Sequence, residues 1–358
     1  MGKNIKTNLK DLGYDDFFES KKNDLGLSEY VSARVVAEYK EAYRVSSATG
    51  EYLAKISGKQ IFRATKREDY PAVGDWVVID ELPGKKAVIH KILPRKTILK
   101  KQYASKQDAQ IIATNVDVAF IVESLDMGYN LKSFERYLVL VKEGKIKPVI
   151  VLNKTDLIPK SEIESKVDQI KNRFSGIDVI STSAINNHGL DKIWCCIEKG
   201  KTYCFLGSSG VGKSSMINRL LGKDEIKTKE INTFTGRGRH TTSVREIYIL
   251  QNGGIVIDNP GTREVGIVDS GVGIEIVFDE INKLAKQCKF ADCIHVHEPD
   301  CAVLKALEEG VLDEEKYNNY LKLKKESDFY RMTDLERKQK DRKFGQFIKK
   351  VKDELKDI

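Results

Sequence analysis

The chain has 358 residues, 41% of them apolar, and a formal net charge of +8, which is enough material for two or three domains with their own cores. It contains no run of about 18 apolar residues, so no membrane-spanning helix is expected, and Met1-Gly2-Lys3-Asn4-Ile5-Lys6 lacks the apolar core of a secretion signal. Six cysteines without such a signal point to reduced thiols or metal ligands in a cytoplasmic protein, not to disulfides.

The charge is uneven. Residues 30–105 hold 15 Lys/Arg against 8 Asp/Glu, residues 321–358 hold 13 against 8, and the remainder is net acidic. Basic ends around an acidic middle suit a polyanionic partner; the competing reading is charge that merely keeps a surface soluble.

Residues 1–29 form a leader with a small apolar set, Leu9, Leu12, Phe17 and Phe18. Residues 30–105 then read as about five short strands, including 31–36, 51–56, 75–79 and 87–92. They are separated by Thr49-Gly50, Ser57-Gly58, Val73-Gly74 and Pro83-Gly84. A small basic barrel of the oligonucleotide-binding (OB) kind is expected, and an SH3-like barrel would look much the same.

From about residue 106 the rhythm is strand, helix, strand. Strands are expected at 116–122, 148–152 and 177–180 and helices at 131–142, 160–174 and 190–198, a parallel sheet covered by helices. Cys195, Cys196 and Cys204 fall in the apolar pattern of the last helix and the strand after it, which predicts core positions for all three. Asn153-Lys154-Thr155-Asp156 follows the buried strand 148–152, at the carboxyl end where such sheets bind ligands. A carboxylate there can accept from guanine N1–H and N2, donors that adenine lacks, so Asp156 would choose the base. After the next strand, Ser183 and Ala184 offer a backbone N–H to the base oxygen.

Next comes an apolar run, Tyr203-Cys204-Phe205-Leu206, then Gly207-Ser208-Ser209-Gly210-Val211-Gly212-Lys213-Ser214-Ser215. This is strand, glycine loop and helix carrying G-x-x-x-x-G-K-S, a loop whose backbone amides curl around a phosphate chain. Lys213 would reach the β- and γ-phosphates and Ser214 would hold Mg²⁺. A Gly- and Thr-rich loop follows, in which Thr241 or Thr242 would complete the magnesium shell. Asp258-Asn259-Pro260-Gly261 after an apolar strand reads as D-x-x-G, with Asp258 holding Mg²⁺ through water and Gly261 sensing the γ-phosphate. Thr262 stands where Ras-like enzymes place a water-orienting glutamine, which leaves His240 as the nearby imidazole able to orient the attacking water.

Cys288-x4-Cys293-x-His295-x5-Cys301 gathers three thiols and an imidazole, a set suited to tetrahedral, structural Zn²⁺. His297 is the alternative imidazole. Helical segments flank the cluster, with Val277, Ile281 and Leu284 before it and Val303, Leu304 and Leu307 after it. A tail stripe of Phe344, Phe347, Ile348, Val351 and Leu355 lies opposite a lysine face that is a candidate RNA contact.

The order of these signals is unusual, because the base-reading N-K-T-D and S-A precede the phosphate loop. In that order, with a barrel in front and the cysteine cluster behind, residues 30–325 resemble the RsgA/YjeQ family of circularly permuted, ribosome small-subunit-dependent GTPases. The resemblance implies a multidomain fold: an OB barrel at 30–105, a permuted α/β P-loop GTPase domain at 106–268, and a helical zinc-binding domain with a basic tail at 269–358. It implies guanine reading by Asn153, Lys154 and Asp156, with Thr155 in the same loop, and favours His295 as the fourth zinc ligand. It also implies GTP as substrate, with Mg²⁺ and one Zn²⁺, and the small ribosomal subunit with its 16S rRNA as partner of a monomer. The family carries Thr at 259 and a bulky apolar residue at 262, where this chain has Asn259 and Thr262, so the second switch should differ locally. The competing reading is an RNA-binding module that binds nucleotide without appreciable hydrolysis.

Overall fold

The computed structural model describes residues 8–101, 109–126, 129–222, 245–258, 266–267 and 270–332, with isolated positions at 336, 339 and 342. His240, Thr241, Thr242, Gly261, Thr262 and the tail stripe lie outside the described residues. The chain divides into two compact units, 1–265 and 266–358.

The first unit opens with a 3-10 turn, Leu9–Leu12, capped by Asn8, and helix α1 (Asp16–Asp24), capped by Asp15. Five strands follow: β1 (Val31–Glu38), β2 (Tyr43–Ser47), β3 (Gly50–Ile56), β4 (Trp76–Leu82) and β5 (Lys86–Ile92), with helix α2 (Gly58–Arg63) between β3 and β4. β1 pairs antiparallel with both β2 and β4, and β3 pairs parallel with β5. That closes a five-stranded barrel in which β3 and β5 are neighbours although β4 separates them in sequence. A simple meander could not do this, so the OB arrangement is the one present. Alternate residues fill the interior, among them Ala33, Val35, Val45, Val77, Ile79 and Ile89. The outer face of β4 is covered as well, since Trp76 and Val78 pack with Leu12 and Phe18 of the leader and with Leu93. Leu9, Leu12 and Phe18 of the leader therefore have a function the periodicity alone did not reveal: they cap the outside of the barrel, while Phe17 stays exposed.

A two-stranded hairpin, β6 (Ile98–Lys101) and β7 (Gln110–Thr114), leads into the α/β part. Its elements are β8 (Val118–Ser124), α3 (Leu131–Glu143), β9 (Lys147–Asn153), α4 (Lys160–Arg173), β10 (Asp178–Ser181) and α5 (Leu190–Cys195). Then come β11 (Thr202–Leu206), α6 (Lys213–Leu221), β12 (Glu246–Ile249) and β13 (Ile255–Asp258). The parallel strands run in the order β10-β9-β8-β11-β13, with β12 antiparallel beside β13. β12 in turn meets β1 at the pair Ala37–Glu246, so barrel strands and GTPase strands belong to one eleven-stranded sheet. Arg44–Glu246 (3.3 Å) and Arg245–Glu38 (3.7 Å) cross the same joint.

The expectation that three cysteines are core is corrected: Cys204 is fully buried, but Cys195 and Cys196 are exposed. Cys195, the last residue of α5, lies on an exposed face of the helix, and at Cys196 the apolar pattern outruns it. Tyr203 Oη donates to Cys196 O (2.8 Å) and accepts from Glu198 N (2.8 Å), so the groups that would extend α5 are already used.

The second unit is helical: α7 (Gly271–Val277), α8 (Asp279–Ala285), α9 (Ala302–Glu308) and α10 (Glu314–Arg331). Phe278, Ile281, Val303 and Leu323 are fully buried, and Phe278 meets the Tyr320 ring edge-on at 5.5 Å. Among the described residues, no helix is long and apolar enough to cross a membrane.

Candidate nucleotide site and metal centre

Base-reading and phosphate-binding loops leave the carboxyl ends of adjacent parallel strands β10, β9, β8 and β11. Lys154 begins the turn after β9 in a left-handed conformation (φ 61°), and its Nζ lies 2.6 Å from Asp126, which also accepts from Ser124 Oγ (2.6 Å). Asp156 is exposed, but one of its oxygens is held by Ser183 Oγ at 2.5 Å, leaving the carboxylate oriented towards solvent. Thr155 donates from both N and Oγ1 to Thr182 O, so the N-K-T-D and S-A loops are tied together. Ala184 is buried beside them.

Asn153 has a different environment from its neighbours. It is 1% exposed, its Nδ2 donates to Val211 O of the phosphate loop (2.8 Å), and its Oδ1 accepts from Ala184 N and Thr182 Oγ1 (both 3.2 Å). One Nδ2 hydrogen and the Oδ1 are thus engaged by protein, and the residue joins all three loops.

The phosphate loop rests on the core through Val211, Met216 and Ile217. Gly212 has φ 100°, and a Cβ there would lie 2.2 Å from Asn153 Nδ2, so both conformation and space demand glycine. The first turn of α6 has no side-chain cap, which leaves its amides directed at an anion position. Lys213 is buried and donates to Gly207 O (2.7 Å) and Ser208 O (2.6 Å). Burial lowers its pKa to about 8, with Asp258 and Glu123 opposing that shift. Asp258, at the end of β13, is also buried, which raises its carboxyl above the usual range while Lys213 lowers it. Ser208, Ser209, Gly210, Ser214 and Ser215 are partly or fully accessible along the loop.

Glu123 belongs to this neighbourhood, although no motif marks it. It is 2% exposed near the end of β8, accepts from Ser133 Oγ (2.5 Å), and is raised to about 7 by burial. The folded protein therefore holds this proton more tightly than the unfolded chain, and the associated stability is lost as pH rises from about 4.5 to 7. Glu123→Gln should flatten that dependence and raise stability at pH 8 by about 2 kcal/mol. Urea midpoints at pH 5 and pH 8 measure it, and a variant less stable than the parent at pH 8 would contradict it.

In the second unit, Cys288, Cys293, His295 and Cys301 bring their ligand atoms within 4.8 Å of one another. Cys288 Sγ lies 3.8 Å from Cys301 Sγ and 3.6 Å from His295 Nδ1, which is 3.5 Å from Cys301 Sγ. Tetrahedral zinc bonds would place sulfurs about 3.8 Å apart and sulfur and nitrogen about 3.6 Å apart. The donor set thus fits zinc in distance and in chemistry, and His297 is exposed and outside the cluster. His295 adopts φ 62° and its carbonyl accepts from Tyr317 Oη of α10. Backbone N–H groups of Ala302 and Val303, in the first turn of α9, donate to Cys288. Glu298 accepts from the amides of Ile294, Val296 and His297, and these bonds hold its carboxyl down to about 2.

Comparison with known proteins agrees with this picture. The family model described as RsgA GTPase matches residues 92–268. The chain is 37% identical to small ribosomal subunit biogenesis GTPase RsgA 1 of Bacteroides thetaiotaomicron, over 98% of both chains. It is 39% identical to RsgA 2 of Lactiplantibacillus plantarum, covering 90% of this chain and 92% of that one. Among solved structures it is similar to YjeQ from Thermotoga maritima, with TM-score 0.60 and 29% identity over 82% of this chain and 96% of that one. It is likewise similar to YloQ, described as a circularly permuted GTPase, with TM-score 0.58 and 26% identity over 82% and 94% of the two chains. With N-K-T-D and S-A placed before the phosphate loop in the chain but beside it in space, and relatives matching from end to end, this chain is a member of the RsgA GTPase family.

Proposed function

We propose that this protein is a GTP hydrolase that works in biogenesis of the small ribosomal subunit, binding its 16S rRNA as a cytoplasmic monomer. The observation that carries the reading is Asn153, which ties a guanine-selecting loop to a phosphate loop through Val211 and Ala184. One ligand carrying both guanine and a phosphate chain satisfies both loops.

In this reading Asp156 and Lys154 hold the base, the Ala184 amide faces its oxygen, and the amides of residues 207–215 cradle the phosphates. Ser214 and Asp258 would hold Mg²⁺, which would supply charge neutralisation at the phosphate oxygens. On binding, Lys213 exchanges the carbonyls of Gly207 and Ser208 for phosphate oxygens, bringing its charge to where the transition state needs it. Thr241 or Thr242 completes the magnesium shell, Gly261 senses the γ-phosphate, and His240 orients the water. Cys288, Cys293, His295 and Cys301 hold structural zinc, and the barrel and zinc unit supply RNA-binding surfaces.

GTP turnover with and without small ribosomal subunits tests this. Free protein should turn over slowly, in the range of roughly 10⁻⁴–10⁻² s⁻¹ typical of unassisted GTPases, and subunits should accelerate it strongly. His240→Ala should keep GTP affinity and lose most of the stimulated rate. Subunits that bind without stimulating the parent protein would favour a nucleotide-dependent RNA-binding module.

A further inference from the structure

At the amino ends of β8 and β11, opposite the nucleotide loops, a cleft of about 350 Å³ opens between leader, barrel and GTPase strands. We propose that this cleft is a second anion site, built for a phosphate or pyrophosphate group.

Its lining is strongly biased in charge. Lys10, Arg34, Lys96, Lys145, Lys199 and Lys201 line it, against Asp15 and Asp117. Three of the cations are already paired: Lys96 with Asp15, Lys201 with Asp117 (3.3 Å) and Lys199 with Asp11 (2.8 Å). Among the described residues neither Lys10 nor Lys145 is within ion-pair distance of a carboxylate. Arg34 is the unusual member. It is 1% exposed, yet no carboxylate reaches it: one Nη donates to Leu12 O, the other to Thr202 Oγ1 (2.8 Å), and Nε has no acceptor. The Trp76 ring, 5.8 Å from the guanidinium carbon, adds cation–π attraction, and Asp117 and Asp75 act on the charge from beyond ion-pair distance.

A buried guanidinium with an unmet donor is unfavourable unless an anion accompanies it. With the internal pairs set aside, Arg34, Lys10 and Lys145 remain, which suits a group of two or more negative charges better than a single carboxylate. The aromatic rings on the wall are already in use: Trp76 and Phe18 are buried together, and Tyr14 packs edge-on to Trp76 with its hydroxyl bonded to Glu19 and Ser32. The ligand is therefore read as the phosphate and not as a nucleobase. The walls are close-set: a Cβ on Gly13 would lie 2.8 Å from Gly200 O and 3.1 Å from Arg34 Nη1. An anion here would touch leader, barrel and GTPase strands together.

The test uses full-length protein saturated with GDP in magnesium-free buffer, so that the phosphate loop is filled, and titrates inorganic pyrophosphate by calorimetry. One saturable site is expected in the parent. Lys10→Ala/Lys145→Ala alters two exposed side chains, so folding and GDP affinity should persist while pyrophosphate affinity falls at least about tenfold. Arg34→Gln should abolish binding if it folds; the double variant makes the test independent of that. No saturable binding in the parent, or equal affinity in the double variant, would overturn the proposal. Repeating the titration with a single-stranded RNA oligonucleotide present separates the sources. Competition, with matching loss of RNA affinity in the double variant, assigns the phosphate to an RNA backbone, and an unchanged titration assigns it to a small free phosphate.

Discussion

Cys301→Ser should strip the metal from the second unit and unravel its first three helices. Cys301 both supplies a thiol to the cluster and precedes the first residue of α9, whose opening amides donate to Cys288. His295, the other buried ligand, holds α10 through its carbonyl and Tyr317. Losing one ligand therefore releases the connections to two helices as well as a metal bond. Structural zinc contributes on the order of 10 kcal/mol in modules of this kind, far more than the few buried side chains of α7, α8 and α9 can replace. Elemental analysis should fall from one zinc per chain to none, and amide exchange across 271–308 should become fast. Retained protection of those amides in a metal-free variant would show that the apolar core alone holds the unit.

Asp156→Asn should give the second large effect, a loss of GTP affinity of about 10²–10⁴-fold with a gain for xanthine nucleotides. Two hydrogen bonds to a charged carboxylate, each worth about 1.5–3 kcal/mol, disappear, and the new amide donor faces a guanine donor. Ser183 Oγ still finds an oxygen acceptor in the asparagine, so the loop should keep its shape and the change should be confined to recognition. Equilibrium binding of GTP and XTP to parent and variant measures it. Equal GTP affinity in the two proteins would move base selection elsewhere.

Contiguity decided what could be read from the chain. N-K-T-D, S-A, the phosphate loop and the cysteine cluster each carry their chemistry within a few residues, and the permuted order is itself a sequence property. Asn153 shows the limit: its partners are 58 and 31 residues away, so its joining role has no local signal beside the base-reading role expected of it. Arg34 reads as an outward strand residue by alternation, and only the leader and Thr202 explain its burial. The β6–β7 hairpin was missed because its strands are short and pair segments on either side of the expected domain boundary at 105/106. Cys196 failed for the opposite reason, a periodicity continuing past the point where Tyr203 takes over the backbone groups, and Cys195, still inside α5, lies on its exposed face. Asp126 and Glu123 lie in no motif and emerge only when β8 is set beside β9 and β11.

The joint between β1 and β12 has a consequence for synthesis. Arg44 and Glu246, which meet across it, are 202 residues apart. The barrel's last strand ends at Ile92 and β12 begins at Glu246, so at the roughly 5–20 residues per second of translation a finished barrel waits about 8–30 s for its neighbouring strand. Throughout that interval the end of β1 that will receive β12 has no partner from the GTPase strands, while the leader, made first, is already available to cover Trp76 and Val78. The nascent chain thus passes through a stage in which barrel and leader are complete and the catalytic sheet is not, and mutations that loosen the leader should act first on yield, before any effect on turnover.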